Sequence, residues 1–209
     1  IGLGAMIRAW GGEPVDLGII PDDLERITAA LRGATGYDLL VTLGGASVGD
    51  HDLVQKALAE AGGTLDFWKI AMRPGKPLMF GSVGIPGGAG TKLLGLPGNP
   101  VSAMVCALLF LRPVVQKLAG HQDTSLPISR ARLGADLPAN DTRHDYLRAE
   151  LVVDASGEVT ATALKIQDSS MMSALAKSGA LILRSPHAPS VKAGELVEIV
   201  RLEALGVDF

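Results

Sequence analysis

Residues 38–52 read DLLVTLGGASVGDHD, and the order within that stretch decides the fold. Asp38–Leu43 is an apolar run of strand length, and Gly44-Gly45 stops it. From Asp50 to Ala61 the apolar residues Leu53, Val54, Ala57, Leu58 and Ala61 recur at helical spacing. A glycine-rich turn between a strand and a helix lets backbone N–H groups converge on an anion at the positive end of the helix dipole. Gly44, Gly45 and Gly49 allow close approach, and the Ser47 hydroxyl adds a donor. An ordinary tight turn needs fewer glycines. The stretch is neither a Walker loop nor a GxGxxG fingerprint.

Outward from this unit, the first half alternates strand and helix. Upstream, Ile1, Leu3, Ile7 and Trp10 share a helical face, Val15–Ile20 reads as a short strand, and Asp22–Arg32 as a helix with Leu24, Ile27 and Leu31 inward. Downstream, Leu65–Ile70, Pro77–Phe80 and Lys92–Leu96 read as strands, and Pro100–Leu118 as an almost wholly apolar helix. The expectation is a mainly parallel sheet with helices on both sides, in three layers, and ligands at the carboxyl ends of strands. After Gly120 the text changes. His121–Pro127 is a linker, Leu147–Val153 alternates as a half-buried strand, DASGE (154–158) is a turn, and Val159–Ala163 returns. Ala180–Leu183 and Leu196–Arg201 add two strands, and only Ser170–Lys177 looks helical. The reading is an α/β domain over 1–122 and a small β-barrel domain over 123–209.

Two more segments lie at strand ends of the α/β part. KIAMRPGKP (69–77) carries Lys69, Arg73 and Lys76 around a Pro-Gly turn. Like charges so placed call for an anion, such as phosphate, pyrophosphate or molybdate; scattered surface cations are the plain alternative. LPGNPVSA (96–103) puts Pro97-Gly98 at a strand end, then Asn99 as a natural N-cap and Pro100 as a first helical residue. Capping accounts for both residues, and a second anion pole accounts for their position. Asp50 and Asp52 flank the glycine turn. A carboxylate beside a phosphate needs a cation between them, so one of the two fits a Mg²⁺ ligand; a first-turn helix acid is the alternative. Asp22 follows another expected strand end and is either a third acid of the crevice or a helix cap.

Composition bounds the partners. Hydrophobic residues are 47% and charged residues 20% of the 209, as in folded globular chains. A net charge of −3 gives no general basic surface, which disfavours nucleic acid. The longest apolar run, Val101–Leu111, is about half a membrane span. The single cysteine, Cys106, lies in that run and reads as core. His51, His121, His144 and His187 lack metal-ligand spacing and read as surface residues.

Taken together and in this order, GGASVGDHD, MRPGKP and LPGNPVSA resemble the molybdopterin molybdenumtransferase family, MoeA in bacteria and the E domain of gephyrin in animals. The tail QDSSMMSAL (167–175) resembles that family's C-terminal barrel. The resemblance implies molybdenum cofactor biosynthesis: Mg²⁺-dependent insertion of molybdate into adenylylated molybdopterin, with AMP released. It implies Asp52 as the metal-linked acid, Asp22 as a second functional acid, and Lys69, Arg73 and Lys76 as the cationic loop. Pro97 and Pro100 would frame the oxyanion pocket. It also implies a cytoplasmic homodimer, with other cofactor-synthesis proteins as further partners and neither nucleic acid nor membrane. Two departures stand out: Arg73 where the family often has Lys, and Asp168-Ser169 where many relatives have glycine.

The family's two N-terminal domains and the first strand of its molybdopterin domain, with a Ser-Thr-Gly-Asp-Glu segment, have no counterpart in these residues. The chain thus reads as a piece of something longer, expected to catalyse poorly alone. Two other readings compete: a molybdopterin adenylyltransferase-like enzyme, against which the β tail argues, and a non-catalytic scaffold of the same fold, against which Asp52, Lys69 and Lys76 argue.

Overall fold

The computed structural model describes residues 2–45, 53–84 and 90–206. It opens with α1 (Gly2–Ala9), whose Met6, with Trp10 just past its end, is buried. The segment expected as a strand over 15–20 is not one. It is irregular, with Val15 56% and Ile19 98% exposed, because no neighbouring strand pairs with it. Helix α2 (Leu24–Gly33) follows; its N-cap is Asp23, whose carboxylate accepts the Arg26 N–H at 2.9 Å. Asp22 is exposed one residue earlier.

Then come β1 (Leu39–Leu43), α3 (Leu53–Glu60), β2 (Thr64–Trp68), β3 (Met72–Arg73), β4 (Met79–Val83) and β5 (Thr91–Leu96). Four of these strands form a sheet in the order β1-β5-β4-β2. β1 pairs with β5 in parallel, but β4 runs antiparallel to both β5 and β2. The expected mainly parallel sheet is therefore mixed. Parallel neighbours need a crossover of about a dozen residues or more, and the links flanking β4 are too short to provide one. Strands β1, β5 and β2 still point one way, so their carboxyl ends share one end of the sheet.

Alternation along β1 and β5 sends side chains to two cores. Leu40 and Leu93 meet Leu31, Ala57 and Leu58 from α2 and α3. Leu39, Val41, Leu94 and Leu96 face the other way, onto α1 and the long helix that starts at Pro100. That helix is α4 (Pro100–Cys106), a π-helical stretch (Ala107–Leu111) and α5 (Arg112–Leu118). The wider turn absorbs Pro113, which has no N–H and whose ring would clash in a regular helix. At 19 residues and a mean hydropathy of 1.6, this helix is long and apolar enough to cross a membrane. Its apolarity has a use inside the fold: Val105, Cys106, Leu108 and Leu111 are fully buried in the main core.

Arg112 anchors the following linker by donating to the Thr124 and Ser125 carbonyls. Beyond it lie β6 (Ile128–Leu133), β7 (His144–Val153), β8 (Val159–Ala163), α6 (Met172–Ala176), β9 (Ala180–Arg184) and β10 (Leu196–Arg201). The pairing β7-β8-β6-β10-β9 returns to β7, closing a five-stranded barrel around Ala131, Leu133, Ala149, Ala161 and Ile182. Packing does not stop at the linker. Leu175, Leu181, Val200, Leu202 and Leu205 belong to the same core as Leu94 and Leu108, and Trp10 Nε1 donates to the Leu205 carbonyl at 2.8 Å. Strand β3 leaves the first sheet altogether and pairs in parallel with β7, Met72 opposite His144 and Arg73 opposite Asp145.

Candidate functional site

The carboxyl ends of β1 and β5 bring the glycine turn and the Pro-Gly turn into backbone contact. The Gly44 N–H donates to Leu96 O at 3.1 Å, and a Cβ on Gly98 would sit 3.4 Å from Gly44 Cα. Gly44 and Gly45 both take positive φ, 82° and 67°, as the turn after β1 requires. Pro97 is buried, while Gly98, Asn99 and Pro100 are exposed at the mouth of α4. Asn99 holds the N-cap position without capping. Its Nδ2 instead donates to Ser169 Oγ at 2.9 Å, and the Val101 N–H donates to Ser169 O at 3.1 Å. A barrel segment thus reaches the helix start. Ser47, Gly49 and Asp52 lie outside the described residues.

The cationic loop connects β2 to β4 at the same end of the sheet. It is folded back on itself, with Lys69 N–H donating to Leu78 O and Ile70 N–H to Lys76 O. Lys69 adopts φ 68° and lays its Nζ 3.6 Å from the centre of the Trp68 ring. Gly75, at φ 119°, lets the loop rest on α4: a Cβ there would meet Cys106 Sγ at 2.4 Å. The Arg73–Pro74 peptide bond is cis.

The three cations do not act alike. Arg73, expected to join Lys69 and Lys76 in one anion pole, faces the barrel. It forms a two-pronged pair with Asp145, Nε to Oδ1 at 2.9 Å and Nη2 to Oδ2 at 2.6 Å, and touches Asp141 at 3.2 Å. Bonding to Asp145 raises its pKa further. Its planar fork suits a carboxylate as a lysine would not. Lys76 has no ion pair among the described residues. Asp22 does not follow a strand, so the premise that placed it at the crevice fails.

Sequence reading missed Arg148. It is 1% exposed, its Nη1 lacks a hydrogen-bond partner, and burial lowers its pKa, offset in part by Asp168. Its backbone and Nε meet Gln167 Oε1, in the same 166–170 segment that reaches Asn99 and Val101. The sequence carries no signal for it: Arg148 stands on the face of the alternating strand opposite Leu147, Ala149 and Leu151, which reads as the solvent side. His144 was also misplaced as a surface residue: it stacks on Tyr146 with centroids 4.7 Å apart, and burial lowers its pKa.

Among the described residues no three His, Cys, Asp or Glu side chains come together as a metal site. Asp52, the expected Mg²⁺ ligand, and its neighbour Asp50 lie outside the described residues. Cys106 is fully buried, its thiol pushed up to about 12 by burial, so it is a core residue as expected.

Comparison with known proteins agrees with this geometry. Residues 2–117 match the family described as "Probable molybdopterin binding domain", and residues 130–202 match "MoeA C-terminal region (domain IV)". The chain is 34% identical over 189 residues to a molybdopterin molybdenumtransferase of Haemophilus influenzae, covering 90% of this chain and 45% of that one. It is 32% identical over 192 residues to a protein of the same name from Bacillus subtilis, covering 91% and 43%. The chain thus spans less than half the length of these relatives. The crystal structure of a molybdopterin biosynthesis moeA protein from Pyrococcus horikosii superposes with a TM-score of 0.76 at 25% identity, over 96% of this chain and 47% of that one.

Proposed function

The chain belongs to the molybdopterin molybdenumtransferase (MoeA) family, and from that premise we propose that it serves molybdenum cofactor biosynthesis by inserting molybdate into adenylylated molybdopterin, with Mg²⁺ required and AMP released. The observation that carries this reading is the contact of Gly44 with Gly98. It joins two backbone anion cradles at the end of the sheet where Lys69 and Lys76 also emerge. In this arrangement Gly44, Gly45, Ser47 and Gly49 bind a phosphate of the substrate. Pro97, Gly98, Asn99 and Pro100 shape the oxyanion pocket, with Lys69 and Lys76 as its cations. Asp52 is the proposed Mg²⁺ ligand. Arg73 is reassigned from the pole to positioning the loop against the barrel, and Asp22 is dropped to a surface acid.

We further infer a three-layer α/β domain over 1–122, supported by cores on both sides of the sheet, and a barrel domain over 123–209. A cytoplasmic homodimer acting with other cofactor-synthesis proteins completes the proposal. The barrel favours a molybdenumtransferase over an adenylyltransferase-like enzyme, because its segment 166–170 reaches the start of α4.

Calorimetric titration of the chain with AMP and with molybdate, with and without Mg²⁺, tests the reading. A charge-assisted hydrogen bond contributes roughly 1.5–3 kcal/mol, so Lys69→Ala and Lys76→Ala should each weaken binding about tenfold or more. Added salt should weaken it as well. Variants that bind both ligands like the parent would leave the loop a solvated turn and end the proposal.

A further inference from the structure

On the flank of the barrel, beside Arg73 of the cationic loop, a cavity of about 440 Å³ opens. Its floor is apolar, formed by Leu147, Ala163 and Leu164. Two acids line it, Asp141 and Asp145, and both are spoken for: Arg73 pairs with each, and Arg143 also reaches Asp141. Besides Arg73, two cations line it, and neither has an acidic partner among the described residues. Lys165 is exposed and has no ion pair among the described residues. Arg184 is only 5% exposed, and its Nη2 donates to the carbonyls of Pro138, Ala188 and Pro189.

Asp145 stands opposite Arg184 across β7 and β9 but is paired with Arg73, so the hydrogen bonds of the buried Arg184 guanidinium go to carbonyl dipoles and leave its charge without an ion pair among the described residues. Leaving that charge uncompensated is costly, and an anion drawn from solution offsets the cost. The volume falls within the range of small-molecule sites, which pair an apolar lining with a few convergent polar groups. We propose that this cavity binds a small organic anion, its carbon-rich body against Leu147, Ala163 and Leu164 and its phosphate or carboxylate toward Arg184 and Lys165. The site goes beyond the molybdenum-insertion reading and does not depend on it. It neighbours that site through Arg73, so its occupancy bears on the loop that carries Lys69 and Lys76.

The test is an amide NMR titration of the whole chain with AMP as the amphipathic anion, adenosine as its uncharged counterpart, and inorganic phosphate as the bare headgroup. AMP should move the amides of Ala163, Leu164 and Lys165, and adenosine should not. Like charge facing the anion is strongly unfavourable, so Lys165→Glu, at an exposed position, should weaken those shifts about tenfold. Ala163→Leu, which fills the floor, should weaken AMP more than it weakens inorganic phosphate. Arg184→Gln should abolish binding if it folds, and the two other variants decide the matter if it does not. Equal shifts from adenosine and AMP would overturn the proposal, as would unchanged affinity in Lys165→Glu. So would AMP shifts confined to Gly44 and Gly98. Those two amides report on the sheet-end site, so failure of either site is read separately from the other.

Discussion

Replacing Gly75 by alanine should loosen the cationic loop from α4, and the size of the effect follows from two separable causes. A Cβ at this position would lie 2.4 Å from Cys106 Sγ and 3.3 Å from both Cε and Sδ of Met72. Cys106 is fully buried in a helix and cannot retreat. Overpacking of that kind costs about 1–3 kcal/mol. Gly75 also sits at φ 119°, a region that a residue with a Cβ occupies only at a cost of about 1–3 kcal/mol. Gly75→Ala should therefore destabilise the chain by roughly 2–6 kcal/mol, lowering the thermal midpoint by roughly 4–24 °C for a protein of this size. Urea unfolding gives the first number directly, at constant m. The two causes separate in a cycle with Cys106→Ala. Removing the sulfur relieves the clash but not the backbone strain, so the double variant should regain about 1–3 kcal/mol relative to additivity. A cost below about 0.5 kcal/mol for Gly75→Ala, the ordinary scale of a surface change, would refute the contact. Strict additivity would refute its assignment to Cys106.

Two further outcomes follow from buried polar groups. The Cys106 thiol, pushed up to about 12 from its ordinary 9.0, holds its proton more tightly folded than unfolded. Its contribution is therefore complete below pH 9 and is lost progressively as pH rises toward 12. The alkaline limb of the stability profile should flatten in Cys106→Ala, and an unchanged limb would assign it to other groups. Asp145→Asn removes the charge that holds Arg73 while keeping an amide of the same shape. Hydrogen bonds to charged groups are worth about 1.5–3 kcal/mol, and Arg73 is half exposed, so a stability loss of about 1–2 kcal/mol is expected. If Arg73 positions the loop, AMP binding should also weaken and recover in a variant that restores the carboxylate as Glu. Unaltered binding would make the pair purely structural.

What the sequence disclosed and what it concealed divide along a physical line. The periodicity of Leu53, Val54, Ala57 and Leu58, the alternation through Val153, the Asp154 turn and the Pro100–Leu118 helix were all legible, because each is a local pattern of one buried face. The Asp154 carboxylate accepts from Ser156 and Glu158 within four residues, so nothing distant enters. Val15–Ile20 misled for the complementary reason: apolar composition reports a capacity to pair, and pairing needs a neighbour. β3 was invisible, being two residues long and paired with a strand that starts at position 144. The cationic loop shows the same limit in charge. Three cations around a Pro-Gly turn do call for an anion, but nothing in nine residues says whether a ligand or the chain itself supplies it. For Arg73 the answer lies 72 positions away, in Asp145. For Lys76 no acid answers among the described residues, which is why it, rather than Arg73, carries the anion-binding part of the proposal. Arg148 completes the contrast. Its Nη1 is buried without a hydrogen-bond partner and its Nε donates to Gln167, 19 positions away, so neither its burial nor its partner could be read from the residues around it.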